Sequence, residues 1–242
     1  MEELVINHQV VYFAQMNQEG IAMNLFRFGY RQFALATIIK RVDEIKPICE
    51  ELTTKGTVDH NLILDFAFDQ LIDSVRIALC FENFMKGVLL LKGYVIHKLD
   101  NKIFKDLSKE QYERPIHYSE IRALKNWEIN PKIKTDNESF KLQILGISKL
   151  TIGMKDLCTP GYTSVMGIDK DIIDLVVRYS QYRNNLHYYL GETFTIGPST
   201  YSELIKIIDF VNKNVVVFHN DIVTKLKGDS YTIPPISISS DT

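Results

Sequence analysis

Cysteine is scarce in this sequence, and its three residues, Cys49, Cys80 and Cys158, lie far apart. Such a set makes no disulfide framework and offers no Cys-x-x-Cys spacing for a metal. Cys80 lies in the apolar run Ile77-Ala78-Leu79-Cys80-Phe81, so we expect a buried, reduced thiol in a core helix. Few and unpaired cysteines are typical of a reducing compartment, and we therefore expect a cytoplasmic protein.

Charge of one sign is also lacking, because the 242 residues carry a formal net charge of -2. There is no global basic field that would indicate nucleic acid, so any such contact needs a local patch or a pocket between two copies. The apolar runs are far shorter than the roughly 20 residues that span a bilayer. The acidic start Met1-Glu2-Glu3-Leu4 predicts no signal peptide, and no membrane association is expected.

Several catalytic signatures are missing. No glycine-rich phosphate loop, no Gly-x-Ser-x-Gly elbow and no His-Glu-x-x-His spacing occurs, so no metal and no cofactor are expected. We interpret His117 and His219 as surface or capping residues. The small basic groups Lys132 with Lys134 and Lys225 with Lys227 are interpreted as solvated loop charge.

The apolar residues recur at helical spacing over most of the chain, which predicts an all-α fold, an up-and-down bundle of about five long helices. The first helix is expected to break near Pro47, the second to be capped by Asp59 or Asn61, and the fifth to begin with a Thr200–Glu203 capping box. The predicted helices cover residues 20–52, 61–99, 138–157, 169–190 and 201–226, with a loop at 158–167.

Between about residues 100 and 135 the helical pattern weakens, and Arg114-Pro115 and Asn130-Pro131 interrupt it. We expect an irregular insertion with one short helix near residues 119–127, pinned to the body by Trp127. Residues 1–228 are predicted to form a single helical domain that contains this insertion. Residues 229–242 are predicted to be a loosely ordered tail in which residues 231–239 could add a short strand.

The end of the fourth predicted helix carries the chain's strongest candidate site. Arg183 and His187 are four residues apart and share one face of a helix. Asn184 and Asn185 are poor helix formers, and Arg178, Tyr182 and Tyr189 lie close by in sequence. A fixed cation and a titratable imidazole suffice for phosphodiester cleavage without a metal. On spacing alone, a solvated helix face, or an imidazole that caps the helix C-terminus, explains the same residues.

The segment Arg183-Asn184-Asn185-Leu186-His187 resembles the signature of HEPN-domain proteins (higher eukaryotes and prokaryotes nucleotide-binding). That signature is an arginine, a polar residue and a later histidine near the end of a long helix in an all-helical bundle. The segment from Phe81 to Gly93, with Glu82 four positions before Lys86, is similar to an early-helix pattern of the family. The resemblance covers about residues 20–226.

This resemblance implies a metal-independent endoribonuclease of toxin or phage-defence type, formed as a homodimer, with RNA or a nucleotide as ligand and a neutralising or regulatory protein partner. It implies catalytic roles for Arg183, His187 and Asn184, and supporting roles for Glu82, Arg178 and Tyr188. The sequence departs from the family because three residues separate Arg183 from His187, one fewer than the signature has, and Tyr188 stands where the shortest family spacing places histidine. Two alternatives therefore stay open: an inactive HEPN-like module that binds a nucleotide or a protein, and a helical scaffold without a ligand.

Overall fold

A computed structural model of the chain describes residues 4–6, 9–11, 15–99, 114–117, 147–185, 196–226 and 231–238. These residues are mainly helical, as the sequence predicts, and the specific five-helix, up-and-down arrangement stays a prediction. In chain order the elements are β1 (Leu4–Ile6), β2 (Gln9–Val11), α1 (Gln15–Ala34), α2 (Thr37–Lys40), α3 (Val42–Lys55), α4 (His60–Leu91), β3 (His97–Leu99), β4 (Ile147–Thr151), α5 (Met154–Leu157), α6 (Pro160–Met166), α7 (Lys170–Asn185), α8 (Thr200–Phe210), a π-helical segment (Val211–Val216) and α9 (Val217–Lys225).

The chain divides into two compact units. The first unit comprises Met1–Ala22 and Met85–Gly167, and the second comprises Met23–Phe84 and Ile168–Thr242. Among the helices of the described ranges, none combines the length and the apolar character that crossing a membrane requires.

The first unit contains two antiparallel strand pairs, β1 with β2 and β3 with β4. In the second pair His97 lies opposite Thr151 and Leu99 lies opposite Ile147. The prediction of a helix over residues 138–157 is therefore wrong at Ile147–Thr151, because pairing with a strand about 50 residues earlier replaces the local helical tendency. Residues 138–146 lie outside the described residues, as does the predicted short helix with Trp127.

Residues 158–167 also differ from the expected loop. Pro160 begins the helix α6 instead of forming a turn, and Gly167, at φ 70°, ends it. Proline suits the first helical position because its missing N–H would have no partner inside the helix, and its fixed φ is already helical. Lys92 donates to the carbonyl of Val165 at 2.6 Å and ties the end of α4 to this helix.

Most of α4 belongs to the second unit, and its predicted start is confirmed. The Asp59 carboxylate accepts the N–H of Asn61 at 2.9 Å and caps the helix. The helix ends at Leu91, earlier than the predicted residue 99. Gly93 has φ 80°, and the N–H of Tyr94 reaches the carbonyl of Leu89 at 2.8 Å, which is the hydrogen bond of a Schellman ending.

Five phenylalanine rings form the aromatic part of the second unit's core. Phe84 lies 5.2 Å from Phe210 edge to face and 5.8 Å from Phe26, measured between ring centroids. Phe81 stacks on Phe210 at 5.4 Å, and Phe218 stacks on Phe26 at 5.9 Å. Offset and edge-to-face pairs of this kind add about 0.5–1.5 kcal/mol each beyond the area that they bury. The cluster joins α1, α4 and α8 to α9.

The first predicted helix is interrupted earlier than expected. It breaks at Leu35 and Ala36, and Pro47 lies inside α3 without ending it. The break is stabilised from a distance, since the buried Asp73 carboxylate of α4 accepts the N–H of Ile38 at 2.8 Å. A carboxylate 35 residues away in sequence therefore accepts an N–H that a local capping residue would otherwise accept. Helical periodicity does not predict such a long-range contact.

The start of α8 differs from the predicted capping box. The Thr200 hydroxyl accepts the N–H of Gly197 at 2.9 Å, and the N–H of Glu203 bonds to the carbonyl of Ser199. The Glu203 carboxylate accepts the Ser199 hydroxyl at 3.0 Å. Ser199, and not Thr200, is therefore the residue that precedes the helix, and Glu203 is directed to that neighbour.

Candidate functional site

The helix α7 carries the predicted site and is amphipathic. Its buried residues follow helical spacing, whereas Lys170, Asp174, Arg178 and Gln181 are exposed. The buried side chains are those of Ile172, Ile173, Leu175, Val176 and Tyr179. This stripe packs into the second unit and fixes the rotation of the helix about its axis.

Arg183 and Asn184 lie in the last turn of the described part of α7, in agreement with the predicted helix. Position 183 follows Val176 by seven residues and Tyr179 by four, so it falls on the helix face of these two fully buried residues. Position 184 follows the half-buried Val177 by seven. The structure describes the backbone but not the side chains at 183 and 184.

His187 and Tyr188 lie outside the described residues, as do residues 186–195 as a whole. The predicted convergence of Arg183 and His187 therefore stays a prediction. Glu82, the predicted supporting acid, is half-buried on α4. Its pairing with Arg183 also stays a prediction, because one of the two side chains is not described.

Arg178, a predicted supporting residue, lies in an ion pair that joins α7 to α8. Its guanidinium donates to the Glu203 carboxylate at 2.7 Å, and the two side chains are 45% and 20% exposed. The Ser199 hydroxyl binds the second oxygen of the same carboxylate. Glu203 thus holds the outer face of α7 against the beginning of α8, one and a half turns before Arg183.

The three thiols lie within the described ranges, and burial raises the pKa of each of them. Cys80 is fully buried, as predicted, and burial raises its pKa. Burial also raises the pKa of Cys158 to about 11. Within these ranges no three His, Cys, Asp or Glu side chains cluster in the way that a metal ion would need.

The interpretation of His219 as a surface or capping residue is wrong. Its side chain is fully buried, and burial lowers its pKa, with a smaller contribution from the positive charge of Arg27. Its Nδ1 lies 3.0 Å from the amide oxygen of Asn220. Since that oxygen can only accept, Nδ1 carries the hydrogen. This hydrogen bond raises the pKa of His219, against the larger effect of burial, which lowers it.

Two asparagines that the sequence analysis did not single out hold the C-terminal segment. Asn220 exchanges two hydrogen bonds with the backbone of Ile233, at 2.9 and 3.0 Å. Asn212 exchanges two with the backbone of Ile236, at 2.8 and 2.9 Å. The sequence predicted a loose tail with a short strand, but residues 231–238 are bound to α9 and the π-helical segment and contain no strand.

Comparison of the chain with family models, with curated proteins and with solved structures finds no match.

Proposed function

We propose that the chain is a HEPN-like, RNA-directed protein that cleaves RNA as a metal-independent endoribonuclease, with Arg183, Asn184 and His187 as its catalytic residues. The observation that carries the proposal is that position 183 falls on the same face of α7 as Val176 and Tyr179, whose side chains are buried. An arginine on a solvated face needs no explanation, whereas an arginine that continues a buried face needs an anionic partner. A phosphate bound in a hollow at the end of this face meets that need.

The chemistry assigned to the site is transfer within the RNA strand. His187 removes the proton of a ribose 2′-hydroxyl, and the 2′-oxygen attacks the adjacent phosphorus. The bond from phosphorus to the 5′-oxygen breaks, and that oxygen takes up a proton from an imidazolium or from water. The products are a 2′,3′-cyclic phosphate and a free 5′-hydroxyl. Arg183 stabilises the charge that builds up on the phosphoryl oxygens, and Asn184 holds one of them.

The supporting residues act by position. Arg178 is held by Glu203 at 2.7 Å, so it fixes α7 against α8 and leaves the cleavage itself to Arg183. Glu82 is assigned as the acid that orients Arg183, and Tyr188 as a neighbour of the scissile phosphate. A second copy would supply the other half of the cleft, since one Arg-His set covers only one side of a phosphate. The assigned biological role is that of a toxin or phage-defence effector.

The test is a cleavage assay on a labelled single-stranded RNA in the presence of excess chelator. Wild-type protein should cut the RNA and leave 2′,3′-cyclic phosphate ends, and Arg183→Ala and His187→Ala should each lower the rate by at least about 100-fold. The matched control is Arg31→Ala, which removes an exposed arginine from α1 and should leave the rate unchanged. Wild-type activity that is absent, or that depends on added metal, would contradict the proposal.

A second candidate function is favoured by the spacing of the motif. With three residues between Arg183 and His187, the imidazole is rotated by about 100° from the position that one more residue would give it. An inactive HEPN-like module would then bind a nucleotide or a protein without cutting RNA. Fluorescence anisotropy together with the cleavage assay separates the two functions. The inactive module should bind RNA or a nucleotide through Arg183 in the anisotropy measurement and leave the RNA intact in the cleavage assay.

A further inference from the structure

The segment Tyr231–Ile238 is bound to its helix through backbone recognition. The side-chain amides of Asn212 and Asn220 lie eight residues apart along the π-helical segment and α9. Each takes both backbone groups of one residue, Asn220 those of Ile233 and Asn212 those of Ile236, at 2.8–3.0 Å. An asparagine amide is a copy of a peptide group, so each pair of bonds imitates one step of strand pairing. Because the earlier helix residue, Asn212, binds the later segment residue, Ile236, the segment runs antiparallel to the helix.

The hydrogen-bond donors of this segment are fully accounted for between the two contacts. The N–H of Ile233 goes to Asn220 and the N–H of Ile236 goes to Asn212. Between them lie Pro234 and Pro235, which have no N–H. The prolines also favour an extended chain at the residue before each of them. The sequence Ile-Pro-Pro-Ile is thus suited to a site that supplies one peptide-like group at each end.

Side chains of the segment also contribute contacts. Ile233 is buried and Ile236 is half-buried, whereas the two prolines are exposed. Arg27 of α1 lies over the ring of Tyr231, with 5.6 Å from its guanidinium carbon to the ring centroid. Contacts to the segment therefore include four hydrogen bonds between asparagine amides and its backbone, the buried side chain of Ile233 and one cation–π contact.

The two asparagines that bind the segment are positioned by their surroundings in the fold. His219 is fully buried, and its Nδ1–H is directed to the Asn220 oxygen that also accepts the N–H of Ile233. The Asn220 oxygen therefore accepts two N–H groups, one from His219 and one from Ile233. The π-helical segment changes the winding of the helix between Phe210 and Val217, and so sets the angle between the two asparagines.

We infer that this groove, formed by Asn212, Asn220, His219 and Arg27, is a binding site for the C-terminal segment of a second copy of the chain. The chain's own segment is the sequence seen to fit, and every copy carries the same groove and the same segment. Five residues, 226–230, join the segment to α9, which ends at Lys225. Exchange of an identical element between copies keeps every contact of that element and is a low-cost route to a dimer.

Direct binding is tested with a fluorescein-labelled peptide of the sequence 231–238. In the wild-type chain the tethered segment competes at an effective concentration of about 1 mM, so binding should be weak. The full-length variant Ile233→Asp should bind the peptide at least tenfold more tightly, because a charged side chain at the buried position 233 weakens the binding of the chain's own segment. Ile236→Pro, which removes the N–H that Asn212 accepts, is the second variant that weakens the segment. The same tightening is expected there. A folded Ile233→Asp chain that does not bind the peptide overturns the inference.

Exchange between copies is tested by complementation. Ile233→Asp leaves a working groove with a defective segment, and Asn212→Ala/Asn220→Ala leaves a working segment with a defective groove. Mixed at equal concentration, the two full-length variants should form a one-to-one complex through this contact, measured by fluorescence energy transfer between labels on the two chains. Two defective-groove chains should give no such signal. Peptide binding without any complex in the mixture would contradict the second copy as the source of the segment.

Discussion

The carboxylate of Asp73 accepts the backbone N–H of Ile38 at 2.8 Å, and its other oxygen pairs with Arg76 at 2.7 Å. The same Arg76 donates to the carbonyl of Leu35 at 3.1 Å. Together the two side chains satisfy one donor and one acceptor at the break between α1 and α2. A single ion pair of α4, in which the Asp73 side chain is 1% exposed and that of Arg76 is 35% exposed, thus holds the turn that ends the first helix.

Replacement of Asp73 should therefore destabilise the protein strongly. Asp73→Ala removes the carboxylate that accepts the N–H of Ile38 and pairs with Arg76, and should lower the free energy of unfolding by about 2–4 kcal/mol. Asp73→Asn keeps one acceptor and should cost less. The measurement is urea denaturation followed by circular dichroism. The control is Glu51→Ala, whose exposed partner Lys55 is 2.8 Å away, and which should change stability little. Equal losses for the two alanine variants would refute this account.

The contact of α1 with α4 depends on Gly29. A Cβ atom built at this residue would lie 2.9 Å from the carbonyl oxygen of Cys80 and 3.3 Å from its Cα. Because both obstacles are backbone atoms, the helices must separate to admit a methyl group. Gly29→Ala should lower the free energy of unfolding by about 1–3 kcal/mol, although alanine favours the helix by about 1 kcal/mol.

The same helix supplies the control for this substitution. Among the described residues, a Cβ atom at Gly20 meets no atom within 4 Å, so Gly20→Ala should show the helix preference alone and raise stability by up to about 1 kcal/mol. Thermal unfolding of both variants measures these changes in stability, which should have opposite signs. A stabilising Gly29→Ala would show that α1 and α4 do not approach this closely in solution.

The buried His219 should make stability depend on pH. Burial lowers its pKa from the ordinary value of 6.5, so the unfolded chain binds the proton more readily than the folded one. The contribution of the neutral His219 to the free energy of unfolding is complete above pH 6.5. It is lost as the pH falls from there through the lower pKa of the folded state. His219→Asn, which keeps a donor near the position of Nδ1, should lose less stability than wild type over that fall. An imidazole NMR titration midpoint at or above 6.5 would contradict the argument.

Much of the helical content follows from local pattern. Asp59 was identified as a cap because a short acceptor before an apolar run has one evident use, and the structure bears this out. The buried Cys80 and the buried stripe of α7 follow from helical spacing in the same way. Features set by distant partners escaped the sequence. The strand Ile147–Thr151 needs His97–Leu99, and the break after Ala34 needs Asp73.

The site shows the same division. Helical spacing places Arg183 near the end of α7, where the structure has it. The role of Glu203 as the partner of Arg178 was missed, because Glu203 was interpreted from its local distance to Thr200. Asn212 and Asn220 were missed since an isolated asparagine on a helix has no distinguishing pattern. The signal that points to them is the Ile-Pro-Pro-Ile sequence, whose two isoleucine N–H groups need partners after the last helix.

The spacing of the Arg-His motif yields a test within the site itself. Under the proposed ribonuclease activity, the imidazole acts from position 187, and the next position is turned by about 100° around the helix. The double variant His187→Ala/Tyr188→His keeps one imidazole but moves it to the shortest spacing of the HEPN signature. We expect its cleavage rate to fall to that of His187→Ala, at least about 100-fold below wild type. The single variant Tyr188→Phe is the control and should retain cleavage within about tenfold, because it keeps His187. If the double variant cuts faster than wild type, the site is degenerate at position 187, and the inactive binding module becomes the better description of the natural protein.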